Sequence, residues 1–423
     1  MSGVGPGTTA GGTGRRLRRT PGVRWSEGDG GLDAAAVVAG FPDAYGLYLH
    51  VPFCERLCPF CPYNKVLYGR KRAAAYFVAL RREIAAYLAA GAGPFTSLYV
   101  GGGTPTLGLG ELEEILPSLP VEGERAIEVL PAHTTPARVD RLVRAGFDRV
   151  SLGVQSFDDR VLHHLGRTGS GTVNRAAVEA CRGRFACLDV DLIFDTAFAE
   201  PGVFLGDVEE CCRLGVDQIS TYPLMRFGYT PFGKARHAPR LEHDLLRRAA
   251  DLASGYGYER ASVWVLRRAD APSFSSITRE LYLGAGAGAA TFTGAHYLVN
   301  HFSPERYGEA LAAGRLPIAR VARLRPAAGA AYYLFWQAYA GGFDPARVRA
   351  LFPSGRGVAS LASGLGRALG LLERRDGHRV LTRRGFDRYH DLERLVTYRF
   401  IEPLWQEMMA EHRSEALPVP PVE

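Results

Sequence analysis

Between residues 45 and 225 the chain alternates short apolar runs with longer amphipathic ones. Leu47–Val51, Ser97–Val100, Ala126–Leu130, Arg149–Val154, Leu188–Phe194 and Gln218–Pro223 are short runs rich in Val, Ile, Leu and aromatic residues, which predicts strands. Between them the apolar period changes. Ala75, Phe77, Val78, Leu80, Ile84, Tyr87 and Leu88 fall at helical spacing and predict a helix over 72–90. Further helices are predicted near 136–145, 172–182 and 208–214. Strand and helix thus alternate through about six units, which argues for an α/β fold with a parallel sheet closed partly or fully into a barrel. In such a barrel ligands bind at the carboxyl ends of the strands. The expected organisation is a Gly-rich basic tail at 1–40, a barrel at 41–265 and a C-terminal domain at 266–423 that closes it.

Composition narrows the class. The chain has 423 residues, 47% of them hydrophobic, enough for one large domain and one smaller one. It lacks an apolar run of about 18 residues, so no membrane span is expected. The tail carries Arg15, Arg16, Arg18 and Arg19, but Thr20-Pro21-Gly22 follows instead of an apolar stretch. That argues against an export signal and for a disordered tail. The net charge of +7 brings no nucleic-acid recognition motif with it, so no nucleic-acid partner is expected. Seven cysteines, an odd number in a long chain, argue against a disulfide framework and for a reducing cytoplasm.

Three of those cysteines lie within eight positions, Cys54, Cys58 and Cys61, after the strand 47–51 and Pro52. A zinc site usually takes four ligands, often in two spaced pairs, and no matching pair lies nearby. Three thiolates suit a 4Fe–4S cluster and leave one iron open. That iron can chelate the amino and carboxylate groups of S-adenosylmethionine, whose reductive homolysis gives a 5′-deoxyadenosyl radical. Cys181, Cys187, Cys211 and Cys212 lie in helix- or strand-like stretches and read as small core residues.

Polar residues then recur at strand ends. Gly101-Gly102-Gly103-Thr104 follows the second strand, and a backbone without side chains lets a ligand approach closely. Glu128 sits between Ile127 and Val129, where a carboxylate needs a partner: a ligand hydroxyl, an ammonium group or an arginine. Gln155, Arg167 and Asp191 follow at successive strand–helix junctions. They suit either a polar cofactor or an internal link between Arg167 and Asp191. Asp189 lies on the same strand face as Asp191, so the choice of aspartate stays open.

With these motifs in order, the chain resembles the oxygen-independent coproporphyrinogen III oxidase family of radical S-adenosylmethionine enzymes. The resemblance covers roughly residues 45–310. It rests on Tyr48-Leu-His-Val-Pro-Phe-Cys54, Gly101-Gly-Gly-Thr-Pro-Thr106, Ser151-Leu-Gly-Val-Gln-Ser-Phe157, Asp191-Leu-Ile and Tyr282-Leu-Gly-Ala-Gly-Ala-Gly-Ala. It implies a radical S-adenosylmethionine partial TIM-type barrel with a helix-rich, winged-helix-like C-terminal domain. It also implies a flavodoxin- or ferredoxin-type electron donor, a small-molecule substrate and two S-adenosylmethionine molecules. The first, on the cluster, would use Tyr48, Gly102, Glu128 and the backbone of Ala290; the second would use Phe60, Gly103, Thr104, Gln155, Arg167, Asp191 and Pro223.

The departures bear on the reaction. Where the oxidase proper carries a fourth cysteine, this chain has Tyr63 before Asn64-Lys65. After Asp191-Leu-Ile it reads Phe194-Asp-Thr-Ala-Phe-Ala in place of Gly-Leu-Pro, and Glu128-Val-Leu-Pro-Ala-His133 lacks the family's acidic flank. A retained cofactor apparatus with altered substrate surroundings puts first a radical C-methyltransferase or cyclopropanase acting on a specialised metabolite. Oxidative decarboxylation of coproporphyrinogen III comes second. A haem-chaperone-like binding protein comes third, with His133, His163 and His164 as candidate haem ligands.

Overall fold

The computed structural model describes residues 22–195, 198–234, 239–272 and 280–412. One large sheet carries the fold. Its strands are β1 (Val23–Glu27), β2 (Gly46–Val51), β5 (Phe95–Gly102), β6 (Val121–Val129), β7 (Arg149–Gln155), β8 (Cys187–Phe194), β9 (Gln218–Pro223), β10 (Tyr258–Arg260), β11 (Val265–Arg268), β12 (Tyr282–Ala285), β13 (Ala290–Phe292), β14 (His296–Asn300) and β15 (Ile318–Leu324). A separate short pair, β3 (Phe53–Cys54) and β4 (Val66–Leu67), brackets the cysteine loop. The order across the sheet is β1-β15-β14-β13-β12-β2-β5-β6-β7-β8-β9-β11-β10. From β12 to β9 every neighbour is parallel, and antiparallel strands flank both sides. This is the expected partial barrel, enlarged by β12, which pairs with β2 as a seventh parallel strand.

The period of two along each strand assigns the faces. Leu47, Leu49, Leu98, Val100, Ile127, Val129, Val150, Leu152, Leu188, Val190 and Leu192 are buried in the main core against the helices. Burying each contributes roughly 1.5–3 kcal/mol relative to exposure. The intervening residues share the opposite face and are mostly polar. Register sets them in rows: Tyr48, Tyr99, Ala126, Arg149 and Cys187 lie side by side, and Glu128, Ser151, Asp189 and Gln218 form the next row. These rows line the face turned away from the main core.

Two expectations need correction. Part of the 1–40 tail is ordered: Val23–Glu27 pairs with β15, and Ala34–Ala39 is a helix capped by Asp33. Trp25 anchors the strand by packing against the cluster of Leu404 and Met408, a contact too distant in sequence to show in the local pattern. Residues 1–21, with the arginine cluster, lie outside the described residues. The boundary expected at 265/266 falls within the sheet, because β12–β15 continue it past β2.

The winged-helix-like ending is present. Helices Pro326–Tyr339, Pro345–Leu351, Arg356–Ala368 and Arg383–Val396 surround β16 (Gly342–Phe343), β17 (Leu372–Arg375) and β18 (His378–Leu381), paired in the order β16-β18-β17. The ending is fastened to the barrel by buried polar contacts. Trp264 Nε1 donates to His390 Nδ1 at 2.9 Å, and His390 Nε2 meets Glu242 at 3.0 Å. Among the described residues no helix is long and apolar enough to cross a membrane.

Candidate active site

The cysteine loop leaves the carboxyl end of β2 and returns through β4. Val66 N–H donates to Pro52 O at 2.7 Å and Tyr68 N–H to Cys54 O at 2.8 Å, so the loop is pinned at its base. His50 fixes its far end: Nε2–H donates to Asn64 O at 3.0 Å, which leaves Nδ1 to accept from Tyr48 OH at 2.7 Å. Burial holds this imidazole down to about 4, so it stays neutral near pH 7. Asn64 Nδ2 donates to Ala287 O and Phe302 O, both at 2.9 Å.

All seven cysteines are free thiols. Cys54 is buried while Cys58 and Cys61 are half-buried; Cys181, Cys187, Cys211 and Cys212 are buried, as expected of core residues. Burial pushes the Cys54 thiol up to about 12, and Thr104 Oγ1, donating to its sulfur at 3.7 Å, acts in the other direction. Arg167 Nη1 donates to Cys58 Sγ at 3.8 Å, and Lys65 Nζ donates to Cys61 O. Among the described residues no three His, Cys, Asp or Glu side chains converge as ligands of one metal ion. An open cleft lined by Cys58, Thr104, Leu130, Pro131, Gly166 and Arg167 reaches the loop from outside.

The glycine run is required by packing as well as by any ligand. A Cβ on Gly101 would lie 2.8 Å from Glu128 Oε1, one on Gly102 2.8 Å from the His50 ring, and one on Gly103 2.6 Å from Phe53 O. Gly102, at φ +117°, also adopts a backbone that only glycine takes readily. The N–H of Gly102 is held by Glu128 Oε2 at 3.1 Å and that of Gly103 by Val51 O at 2.8 Å. Neither is therefore free for a ligand. Glu128 has a partner that sequence reasoning missed: Tyr99 OH donates to Oε1 at 2.6 Å. Burial still raises this carboxyl, with Tyr99 and Gly102 opposing. Tyr99 stands two residues before Gly101 on the inward face, and that parity was the available signal.

On the other wall, Gln155 closes β7 at φ +71°, a left-handed conformation uncommon for a residue with a Cβ and of the kind that persists at functional sites. Arg167 does not form the internal link with Asp191. Its Nη2 donates to Gly153 O at 2.6 Å, while Asp191 accepts from Ser151 Oγ at 2.9 Å. Burial and the Asp189 charge push Asp191 well up, with Ser151 and Arg167 opposing. Asp189 is fully buried, held by Ser220 Oγ at 2.8 Å, and pushed up to about 6 by burial. Asp191 is half-buried, whereas Asp189 is not exposed.

Phe60 packs among Val161, Leu165, Ile193, Leu224 and Phe232. Pro223 is buried at the end of β9, in register with Phe194. Ala290 opens β13 against Gly284, and Gly284 is in register with Tyr48. The candidate haem ligands do not converge: His133 bonds Thr106 Oγ1 at 2.6 Å, His164 stacks on Phe198 at 3.7 Å, and His163 is exposed. Phe194 and Asp195 of the altered loop are described; Thr196 and Ala197 lie outside the described residues.

Comparison with known proteins agrees with this geometry. The family model for the Radical SAM superfamily matches residues 48–214, from Tyr48 on β2 to the end of the helix Pro201–Leu214, and the class of the protein is therefore radical S-adenosylmethionine. The heme chaperone HemW of Mycobacterium tuberculosis is 31% identical over 310 residues, 68% of this chain and 79% of that one. The oxygen-independent coproporphyrinogen III oxidase of Paracoccus denitrificans is 35% identical over 200 residues, 44% of each chain. The chain belongs to the family that holds these two groups, the coproporphyrinogen III oxidase-like radical S-adenosylmethionine proteins. The structure of coproporphyrinogen III oxidase (HemN) from Escherichia coli superposes with a TM-score of 0.70 at 22% identity, over 85% of this chain and 91% of that one, which establishes the shared fold.

Proposed function

We propose that the protein is a radical enzyme in which Cys54, Cys58 and Cys61 hold a 4Fe–4S cluster open at one iron. The observation that carries this reading is one loop with three free thiols, pinned at its base, where Thr104 donates to the Cys54 sulfur and Arg167 to the Cys58 sulfur. The donor set fits the group: a cluster supplies the positive charge that a buried Cys54 thiolate lacks. When bound, the cluster and S-adenosylmethionine supply a 5′-deoxyadenosyl radical. Tyr48, Gly102, Glu128 and the Ala290 backbone would orient the first S-adenosylmethionine. Tyr99 holds the Glu128 carboxylate in place for it. Phe60, Gly103, Thr104, Gln155, Arg167, Asp191 and Pro223 are proposed to border a second molecule. Arg167 ties that wall to the Cys58 sulfur. An electron donor of flavodoxin or ferredoxin type would reduce the cluster.

Two reactions of a small-molecule substrate remain in view. C-methylation or cyclopropanation is favoured by the altered substrate side: Tyr63 replaces the fourth cysteine, and its ring lies 5.5 Å from Trp405 of the C-terminal region. Oxidative decarboxylation of coproporphyrinogen III is supported by the relatives named as oxidases, and a haem-binding role without that chemistry by those named as heme chaperones. One experiment separates them. The protein is reconstituted anaerobically with iron and sulfide, then given dithionite and S-adenosylmethionine with and without coproporphyrinogen III. Formation of 5′-deoxyadenosine that depends on the three cysteines supports the radical reading, and its absence from cluster-loaded protein refutes it. S-adenosylhomocysteine with intact porphyrinogen supports methyl transfer; loss of carbon dioxide from the porphyrinogen supports the oxidase.

A further inference from the structure

We infer that Tyr229 is a positioning residue for Cys61, and that through it the C-terminal helices set the geometry of the cysteine loop from outside the barrel. This inference rests on the proposed radical reading and deepens it, because it names a residue that would place a cluster ligand. Cys54 is placed by the pairing of β3 with β4. Cys61 has no such frame, since residues 55–65 form neither helix nor strand. Its own N–H donates to Cys58 O at 3.3 Å, and Lys65 Nζ donates to its carbonyl. Both partners lie within the loop, so neither fixes Cys61 relative to the barrel. Tyr229 does: its hydroxyl donates at 3.1 Å to Pro62 O, the carbonyl next after Cys61. Pro62 has no N–H, so that carbonyl is the backbone group by which the residue can be tethered.

The segment that carries Tyr229 follows β9 and is held from two sides. On the barrel side, Arg226 Nη2 donates to Asp195 Oδ1 at 2.5 Å, a buried pair just past β8. On the C-terminal side, Arg226 N–H donates to Tyr398 OH at 3.0 Å and Gly228 N–H to the Glu402 carboxylate. Tyr398 lies in a π-helical turn, Thr397–Ile401, and Glu402 opens the helix Glu402–Met409. Such turns are rare and recur at functional sites. The helix is seated by Leu404 and Met408 against Val299, Phe302 and Ala319. Its Trp405 ring stacks on Phe227 at 5.9 Å and lies 5.5 Å from Tyr63.

Two contacts thus join the arm after Cys61 to this side of the molecule, and they differ in kind. The ring contact of Tyr63 with Trp405 tolerates sliding, whereas the hydrogen bond to Pro62 O fixes direction as well as distance. A cluster needs its three sulfurs placed together, and the groups that orient its ligands tune both affinity and potential. Tyr229→Phe removes the bond and keeps the ring beside Phe227, 5.5 Å away. The change therefore falls on Cys61 and not on the packing.

The test uses the full-length protein, reconstituted anaerobically with iron and sulfide, as wild type, Tyr229→Phe and the distant control Tyr256→Phe. It reads the electron paramagnetic resonance spectrum of the dithionite-reduced protein and the rate of iron loss to a chelator. Tyr229→Phe is expected to shift the g values and to lose iron several-fold faster, at an unchanged melting temperature. Tyr256→Phe, whose hydroxyl bonds Glu209 at the surface, should match wild type in both. In the cluster-free protein, Tyr229→Phe should speed alkylation of Cys61 by iodoacetamide several-fold and leave Cys54 unchanged, read by peptide mass spectrometry. Glu402→Ala, which releases Gly228 N–H one step further out, should act in the same direction and more weakly. Unchanged spectrum, iron loss and alkylation in Tyr229→Phe, or a lower melting temperature as its sole effect, would overturn this inference and leave the radical reading standing. Wild-type protein that takes up no cluster would overturn the radical reading, and the alkylation of Cys61 then decides the role of Tyr229 by itself.

Discussion

Glu83 offers a quantitative test of how the site is braced. It lies fully buried on the helix Arg70–Ala89. Its carboxylate accepts from Gly286 N–H at 2.7 Å, Asn300 Nδ2 at 2.8 Å and Tyr307 OH at 2.5 Å. These bonds hold the turn after β12, whose Ala287 carbonyl in turn holds Asn64 at the end of the cysteine loop. Burial outweighs the three donors and lifts the carboxyl from 4.5 to about 7. The folded state therefore binds this proton more tightly than the unfolded chain does. Stability from this group is full below pH 4.5 and falls as pH rises through 7. A tenfold change in proton affinity is worth about 1.4 kcal/mol, so the loss is on the order of 3 kcal/mol. Glu83→Gln abolishes the titration but sets an amide N–H₂ against converging donors, an expected cost of about 1–3 kcal/mol at pH 5. Urea unfolding followed by tryptophan fluorescence at pH 5 and pH 8 should show the variant clearly weaker at pH 5 and the gap closing by pH 8. Parallel pH slopes for the two proteins would refute the reasoning.

Other perturbations probe the site itself. Gly103→Ala drives a methyl group against the Phe53 carbonyl, which is backbone and cannot swing away; it should cost about 1–3 kcal/mol and lower the iron bound per chain after reconstitution. Gly206→Ala, in a helix with nothing near its Cβ, is the contrasting control and should stabilise by up to about 1 kcal/mol in the same denaturation assay. Tyr99→Phe removes the donor to Glu128 and should weaken S-adenosylmethionine binding several-fold by calorimetry, with the fold intact by circular dichroism. Arg167→Lys keeps the charge but cannot span Gly153 O and Cys58 Sγ together; it should alter the visible absorption of the reconstituted protein more than its melting temperature.

What is legible in the sequence is local. The spacing of Cys54, Cys58 and Cys61, the glycine run and the strand–helix rhythm each depend on neighbours along the chain, and the fold class follows from them. What escapes depends on distant pairs. Glu128 by itself shows the need for a partner, but Tyr99 joins it across two strands whose register cannot be read from either alone. Val23–Glu27 looks like part of a tail because its partner strand lies some 300 residues away. Along the chain the glycines suggest room for a ligand, whereas His50, Glu128 and Phe53 already fill that room.

The placement of β12 also dictates an order of assembly. The cysteine loop begins at residue 54, yet Asn64 at its end is held by carbonyls of residues 287 and 302. During synthesis the thiols thus emerge long before the segment that fixes their spacing exists. Closing so long a loop must await the segment that supplies its partners. Until it closes, the three cysteines are a flexible, open set of sulfur donors without a defined geometry. A nascent chain ending before residue 286 would present the whole C-x3-C-x2-C motif and still lack the carbonyls that hold Asn64.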